Sequence, residues 1–244
     1  SLPFTFTVDT VAPVNNGIAA ITDAVGNAPE NVITSGITND NRPSLSGSGE
    51  PGALVLLHDG DTLIASFRVD ADGNWTWQPD EALKDGEHRF SLSHRDAAGN
   101  TSAPSVPVSL TVDTVPPTAP RVIAVLDNVA GGVENGAALA DGAPTNDSRP
   151  LFTGSAEPGA IITLMIDGMV QASLRVAEDG QWRWQPVAAL PDGEHRFTAQ
   201  ATDPAGNSGL PSLPFTFTVD TVAPVNNGIA AITDAVGNAP ENII

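Results

Sequence analysis

The sequence predicts an all-β protein built from small two-sheet domains in tandem, and three observations carry that prediction. Glycine and proline are plentiful, at 23 and 21 residues, while aromatic side chains make up only 5% of the chain. Short strands joined by tight turns suit that mixture better than helices do. Apolar and polar residues alternate over short runs, the period of a strand with one buried face. The chain also repeats itself, with a period of about a hundred residues, the size of one small domain.

The repeat is read from ordered matches. "TNDNRPSLSGSGEPGA" (Thr38–Ala53) realigns with "TNDSRPLFTGSAEPGA" (Thr145–Ala160), and "DGNWTWQP" (Asp72–Pro79) with "DGQWRWQP" (Asp179–Pro186). "DGEHRF" occurs at Asp85 and at Asp192, "DAAGN" (Asp96–Asn100) matches "DPAGN" (Asp203–Asn207), and "TVDT" recurs at Thr7, Thr111 and Thr218. Ser1–Asn31 is identical to Ser212–Asn242. The expected organisation is an elongated array. Residues 1–10 are the last strand of a preceding repeat, 11–113 and 114–220 are whole domains, and 221–244 is the first strand of a following repeat.

Within the first repeat the strands are expected at "GIAAI", "PSLSGS", "ALVLL", "IASFRV", "NWTWQ", "HRFSLS" and "VPVSLTV". "EPG", "DADGN", "KDG" and "DAAGN" are turn chemistry, rich in residues that accept tight or left-handed backbone. In "FTFTV", Phe4, Phe6 and Val8 share one face and Thr5 and Thr7 the other. Trp75 and Trp77 fall on the same side of their strand. About seven strands in about a hundred residues describe an immunoglobulin-like β-sandwich. The chain has no cysteine, so the disulfide of antibody domains is missing.

Composition narrows the function. The net charge is −19, with 29 acidic against 10 basic residues. Such a surface repels nucleic acid and anionic lipid and attracts cations. The longest apolar runs are far too short to span a bilayer, so no membrane insertion is expected. No leader-like segment opens the sequence, which puts any export signal outside these residues. Extracellular β-domains of this size often rely on disulfides. Without cysteine, the acidic excess points to a metal ion as the alternative crosslink, in a chain expected to be monomeric.

Sandwich topology says where carboxylates meet. Consecutive antiparallel strands alternate direction, so alternate loops share a pole. Glu50, Asp72, Asp96 and Asn100 are expected at one pole of the first domain, where the incoming Asp9 arrives. Glu157, Asp179, Asp203 and Asn207, fed by Asp113, repeat the arrangement in the second. The opposite pole gathers Asp23, Asn39 and Asp40, matched by Asp127, Asn146 and Asp147. Converging carboxylates repel unless a cation joins them. Carboxylate, amide and carbonyl oxygens suit Ca²⁺, which takes roughly six to eight oxygens in flexible geometry. Neither His nor Cys clusters there, which argues against zinc. Asp, Asn and Gly are also ordinary turn formers, so each residue taken singly has a bland explanation; recurrence in both copies favours the metal.

Other motifs are weaker. "DADGNWTWQPDE" from Asp70 begins like an EF-hand loop, but Trp75 stands where that loop needs glycine. The pairs Trp75/Trp77 and Trp182/Trp184 could form an aromatic platform for glycans, although same-face pairs more often pack inward. His88 and His195 show no acid–base partner beyond the adjacent Glu87 and Glu194 and are expected at strand edges. Arg42 and Arg149 are expected to pair with nearby acids. No catalytic triad, phosphate loop or catalytic carboxylate pair stands out, so no enzyme is expected.

The ordered series "VDTVAP", "ITDAVG", "TNDNRPSLSGSGEPG", "DGNWTWQP" and "DGEHRFSLSHRDAAGN" resembles the bacterial Ig-like repeats of giant type I-secreted adhesins of Gram-negative bacteria, surface proteins of biofilms and host binding. The resemblance implies a structural spacer on the cell surface, stiffened by Ca²⁺ at interdomain junctions and extending an adhesive tip toward a host or biofilm surface. Its partners are then the neighbouring repeats of the same chain. It implies an interdomain site at Asp9, Glu50 and Asp96, then Asp113, Glu157 and Asp203. It also implies an intradomain site at Asp23 and Asp40, then Asp127 and Asp147. Asp23-Ala24 departs from the pattern, where many such repeats carry a second acidic or amide residue. In "VDTVPPTAPR", Pro116, Pro117 and Pro120 hold the joint extended. Extracellular modules can use weak sites, with dissociation constants of about 0.1–1 mM. The competing reading is an Ig-like module that binds a glycan or receptor directly through exposed tryptophans.

Overall fold

The structure is a computed structural model that describes residues 3–25, 30–31, 36–129, 136–225, 232–234 and 241–243. Domain one contains β1 (Asn15–Asp23), β2 (Glu30–Asn31), β3 (Ile37–Thr38), β4 (Ser44–Gly49), β5 (Leu54–Asp59), β6 (Thr62–Arg68), β7 (Asn74–Trp77), β8 (Gly86–Arg95) and β9 (Val108–Val112). One sheet has the order β2-β1-β4-β7 and the other β3-β9-β8-β5-β6. The seven expected strands are all present. β2 and β3 are additional two-residue pieces, and β3 runs parallel to β9 by pairing Ile37 with Thr111.

Domain two repeats the plan with β10 (Arg121–Asp127), β11 (Ala137–Ala138), β12 (Ala143–Thr145), β13 (Leu151–Ser155), β14 (Ile161–Ile166), β15 (Met169–Arg175), β16 (Gln181–Trp184), β17 (Gly193–Thr202) and β18 (Phe215–Val219). Its sheets are β11-β10-β13-β16 and β12-β18-β17-β14-β15. A final hairpin joins β19 (Ile232–Asp234) to β20 (Glu241–Ile243). Among the described residues there is no helix, and so none long and apolar enough to cross a membrane.

Alternation builds each core. In domain one, Ile18, Ile21, Leu45 and Trp75 come from one sheet, and Val55, Leu57, Phe90, Leu92, Leu110 and Val112 from the other. Domain two answers with a more aromatic set in which Phe152 stacks on Phe197 at 4.2 Å and meets Phe217 edge-on at 5.8 Å. Trp75 and Trp182 are 3% and 4% exposed, which removes them as a sugar platform, while Trp77 and Trp184 are half-buried. A glycine faces each buried indole. A Cβ on Gly47 would stand 2.4 Å from the Trp75 ring, and one on Gly154 would stand 2.1 Å from Trp182.

Two sequence expectations are corrected. The Arg42 and Arg149 side chains reach carbonyls, not acids: each Nε–H donates to Pro79 O (3.0 Å) or Pro186 O (2.8 Å). His88 and His195 do have acidic partners, and these come from across the sheet. His88 Nδ1 lies 2.6 Å from Asp59 and His195 Nδ1 2.8 Å from Asp167. Each Asp sits on the β5–β6 or β14–β15 hairpin, beside the strand that carries the histidine.

Identical sequences also take different conformations. Phe215–Val219 forms β18, yet Phe4–Val8, the same five residues, forms no strand. β18 has β17 and β12 to pair with; among the described residues no strand pairs with Phe4–Val8, and alternation alone does not hold a strand together.

Candidate functional site at the domain joint

The expected sharing of a pole holds for the loops. Gly49 N donates to Gly73 O, which joins the loop after β4 to the loop after β6. Asn15 Nδ2 reaches the carbonyls of Leu92 and Ala103, and His94 Nδ1 donates to the carbonyl of Val14 at 2.9 Å. The incoming segment is thereby tied to the loop after β8.

At that loop an asparagine is the organising residue. Asn100 N and Nδ2 both donate to Asp96, at 2.8 and 2.7 Å, and Nδ2 also donates to the backbone carbonyl of Asp9 at 3.0 Å. Domain two reproduces the arrangement. Asn207 N and Nδ2 donate to Asp203 at 2.9 and 2.8 Å, and Nδ2 reaches Asp113 O at 2.8 Å. The hydrogen bond from the Asn100 side chain, assisted by backbone N–H groups of this turn, outweighs desolvation and holds Asp96 below the usual carboxylate range.

The joint is pinned from both sides. Asp113 N donates to Thr38 O, and Thr114 donates through N and Oγ1 to Asp85, so the linker begins fixed to domain one. Its next contact, Asp113 O with Asn207, belongs to domain two. A Cβ on Gly209 would stand 2.3 Å from Pro117 O, and one on Gly206 would stand 3.5 Å from the Asn39 side chain. Asn39 of domain one therefore borders the same seam as Asp113, Asp203 and Asn207.

The remaining expected ligands are placed differently. Glu50, Asp72, Glu157 and Asp179 lie on the loops of this pole with exposed side chains, and no contact carries them to the asparagine. Asp9 and Asp113 turn their carboxylates to the N–H groups of Val11 and Val115. At the opposite pole Asp23 and Asp40 are buried side by side. Asp23 accepts from Val25 N and Thr38 Oγ1, each at 2.7 Å; Asp40 accepts from Ala24 N (3.0 Å) and Arg42 N (2.8 Å). Asp127 and Asp147 repeat this with Val129, Thr145, Asn128 and Arg149. These pairs stitch the end of the first strand to the segment that leads into the next long one.

Among the described residues no group of three or more His, Cys, Asp or Glu side chains could hold a metal ion. Oxygen donors of another kind do converge. One amide Nδ2 bridges a carboxylate and a carbonyl in each domain, the place a small cation would take between two hard oxygens. Turning the amide about its last bond would add Oδ1 as a third, since the orientation of an Asn amide follows its partners. Carboxylate, amide and carbonyl oxygens are the donor types Ca²⁺ takes, whereas zinc sites favour nitrogen and sulfur.

Comparison with family models agrees with this fold. The model of the bacterial Ig-like domain matches residues 32–114 and again 123–221. Similar solved structures include fibronectin(III)-like modules of CbhA from Clostridium thermocellum, 20% identical, covering 75% of this chain and 87% of theirs, with a TM-score of 0.41. A tetra-tandem repeat from the extending region of a large adhesion protein is 19% identical, covering 87% and 68%, with a TM-score of 0.35. The BSP domain of a biofilm-associated protein is 15% identical, covering 87% of this chain and 30% of its own, with a TM-score of 0.31. Comparison with curated proteins gave no match. With two copies of the family's domain matched over more than half of its length, the chain belongs to the bacterial Ig-like domain family.

Proposed function

We propose that these tandem domains are structural spacers of a bacterial surface adhesin, and that Ca²⁺ stiffens the joint between them. The supporting observation is the duplicated bridge Asp203–Asn207–Asp113 and Asp96–Asn100–Asp9, which brings a carboxylate, an amide and a linker carbonyl together where one domain meets the next segment. A cation there would bind the linker and the loop of domain two at once. Asp113 and Thr114 already fix the linker to domain one, so the ion would couple both domains through a few bonds. The surplus of acidic residues would raise the local concentration of cations. Repeated along an array, such joints hold a distal binding region away from the cell surface.

The glycan-binding alternative loses its basis in Trp75 and Trp182, which are inside the cores. Calorimetric titration of chelator-treated protein with Ca²⁺ tests the spacer reading. Heat of binding with a raised melting temperature supports it; neither heat nor a thermal shift rejects it.

A further inference from the structure

Each sandwich leaves one side open. In domain one β6 ends the five-stranded sheet and β7 ends the four-stranded sheet, so neither edge has a further strand beside it among the described residues. Between them lies a groove of about 690 Å³, with β6 as one wall and Trp77 and the β7–β8 loop as the other. Its floor is Ala65, Phe67, Trp77 and Leu83, half-buried side chains that pack on the core from one side and line the groove from the other. Among the described residues the charged side chains lining it are Asp80 and Glu81, both acidic and both exposed. We propose that this groove docks an extended, basic peptide segment of a partner protein, added as a strand to the β6 edge.

The chemistry of the groove selects this occupant. An edge strand presents backbone N–H and C=O groups at strand spacing, which an extended peptide completes. Alternate side chains of the added strand then face the floor, as Ala65 and Phe67 do from β6. An arginine or lysine among them can lay its aliphatic stem and its charge over the Trp77 ring while its head meets Asp80 or Glu81. An acidic peptide is repelled by the same two carboxylates and by a chain of net charge −19. A neutral glycan would leave the carboxylates without a counter-charge and the β6 edge without a strand.

Domain two keeps the floor and lacks the acids. Ala172, Leu174, Trp184 and Leu190 stand at the matching positions, all half-buried against its core. Val187 and Ala188 replace Asp80 and Glu81. The floor therefore belongs to the fold, and the acidic rim is what distinguishes domain one. A basic partner accordingly selects domain one over domain two.

The test takes the full chain and two short fluorescent peptides, one alternating arginine with valine and the other glutamate with valine. Fluorescence anisotropy is expected to show saturable binding of the basic peptide alone, weakened by salt. Asp80→Val with Glu81→Ala installs domain two's residues at exposed positions. It is expected to leave the melting temperature unchanged and to weaken binding about tenfold. The variant removes two of 29 acidic residues, so attraction to the acidic surface at large would hardly change. In nuclear magnetic resonance spectra the basic peptide is expected to shift the amides of Thr62–Arg68 and the Trp77 indole. No binding, equal binding of both peptides, undiminished binding to the variant, or shifts confined to other regions overturns the proposal. A neutral oligosaccharide, cellohexaose, that moves the Trp77 indole where the basic peptide does not gives the groove to a glycan and overturns it too. Self-association of the peptide-free chain that the variant abolishes gives the groove to a second copy, with the same result.

Discussion

His94 lies on the α-carbon of Gly49, so close that a Cβ there would meet the imidazole at 2.3 Å. Domain two solves the same packing problem with different residues. Ala156 replaces the glycine and Ala201 the histidine, and both fit. Adding a methyl group to a filled site forces shifts that cost about 1–3 kcal/mol. Gly49→Ala is therefore expected to destabilise domain one by about that amount, and to cost much less when His94 is already alanine, although His94→Ala itself loses the bond to Val14 O. A double-mutant cycle in urea measures the coupling; additive effects would contradict the packing account.

The glycines under the indoles make a stronger prediction. At Gly154 the added Cβ meets Trp182 at 2.1 Å and also Arg121 O at 2.3 Å, so a backbone atom and a ring must both yield. Gly154→Ala is expected to cost about 3 kcal/mol or more, at the upper end of overpacking effects. Near-ultraviolet circular dichroism of the tryptophans reads the displaced ring, and an unchanged spectrum with unchanged melting would refute it.

His88 gives a pH dependence with a definite sign. Burial pushes its pKa down, but hydrogen bonds to Asp59 and to Lys84 O and the charge of Asp59 outweigh that, and the pKa is raised above its ordinary 6.5. The folded state thus binds the proton more tightly than the unfolded one. This contribution is complete below about pH 6.5 and disappears as pH rises through the raised value. Asp59→Asn is expected to flatten that part of the stability-versus-pH curve for domain one. A curve that keeps its slope in the variant would contradict it.

Much of this was legible in the sequence, because alternation, turn chemistry and internal repetition all act over short distances. The strands, the inward tryptophans and the shared pole of the loops derive from such patterns. The His88–Asp59 and His195–Asp167 pairs were hidden because they form across a sheet between residues about thirty apart. Their one visible trace is the Asp-Gly turn that recurs before β6 and β15. Asp167 takes φ 54° and Gly168 φ 77°, the left-handed pair a tight hairpin requires. At the joint the sequence indicated Asp203 and Asn207, which the fold brings together, but also Glu157 and Asp179, both exposed, with the Asp179 carboxylate turned to the N–H of Gln181 in its own turn.

Asn207 is expected to matter to both domain two and the joint. Asn207→Ala removes the side-chain bond to Asp203 and the one to Asp113 O, leaving the backbone N–H bond to Asp203, and hydrogen bonds to a charged group contribute about 1.5–3 kcal/mol. A lower melting temperature for domain two and a wider spread of interdomain orientations by residual dipolar couplings are expected. Unchanged couplings would show that this amide does not orient the domains.

The most direct measurement is small-angle X-ray scattering of the same sample in chelator and in excess Ca²⁺. Stiffening of the joint at Asp113 predicts a longer maximum dimension and a narrower range of conformations with calcium, an effect lost in Asp203→Asn. Superimposable curves, with and without the ion, would contradict it.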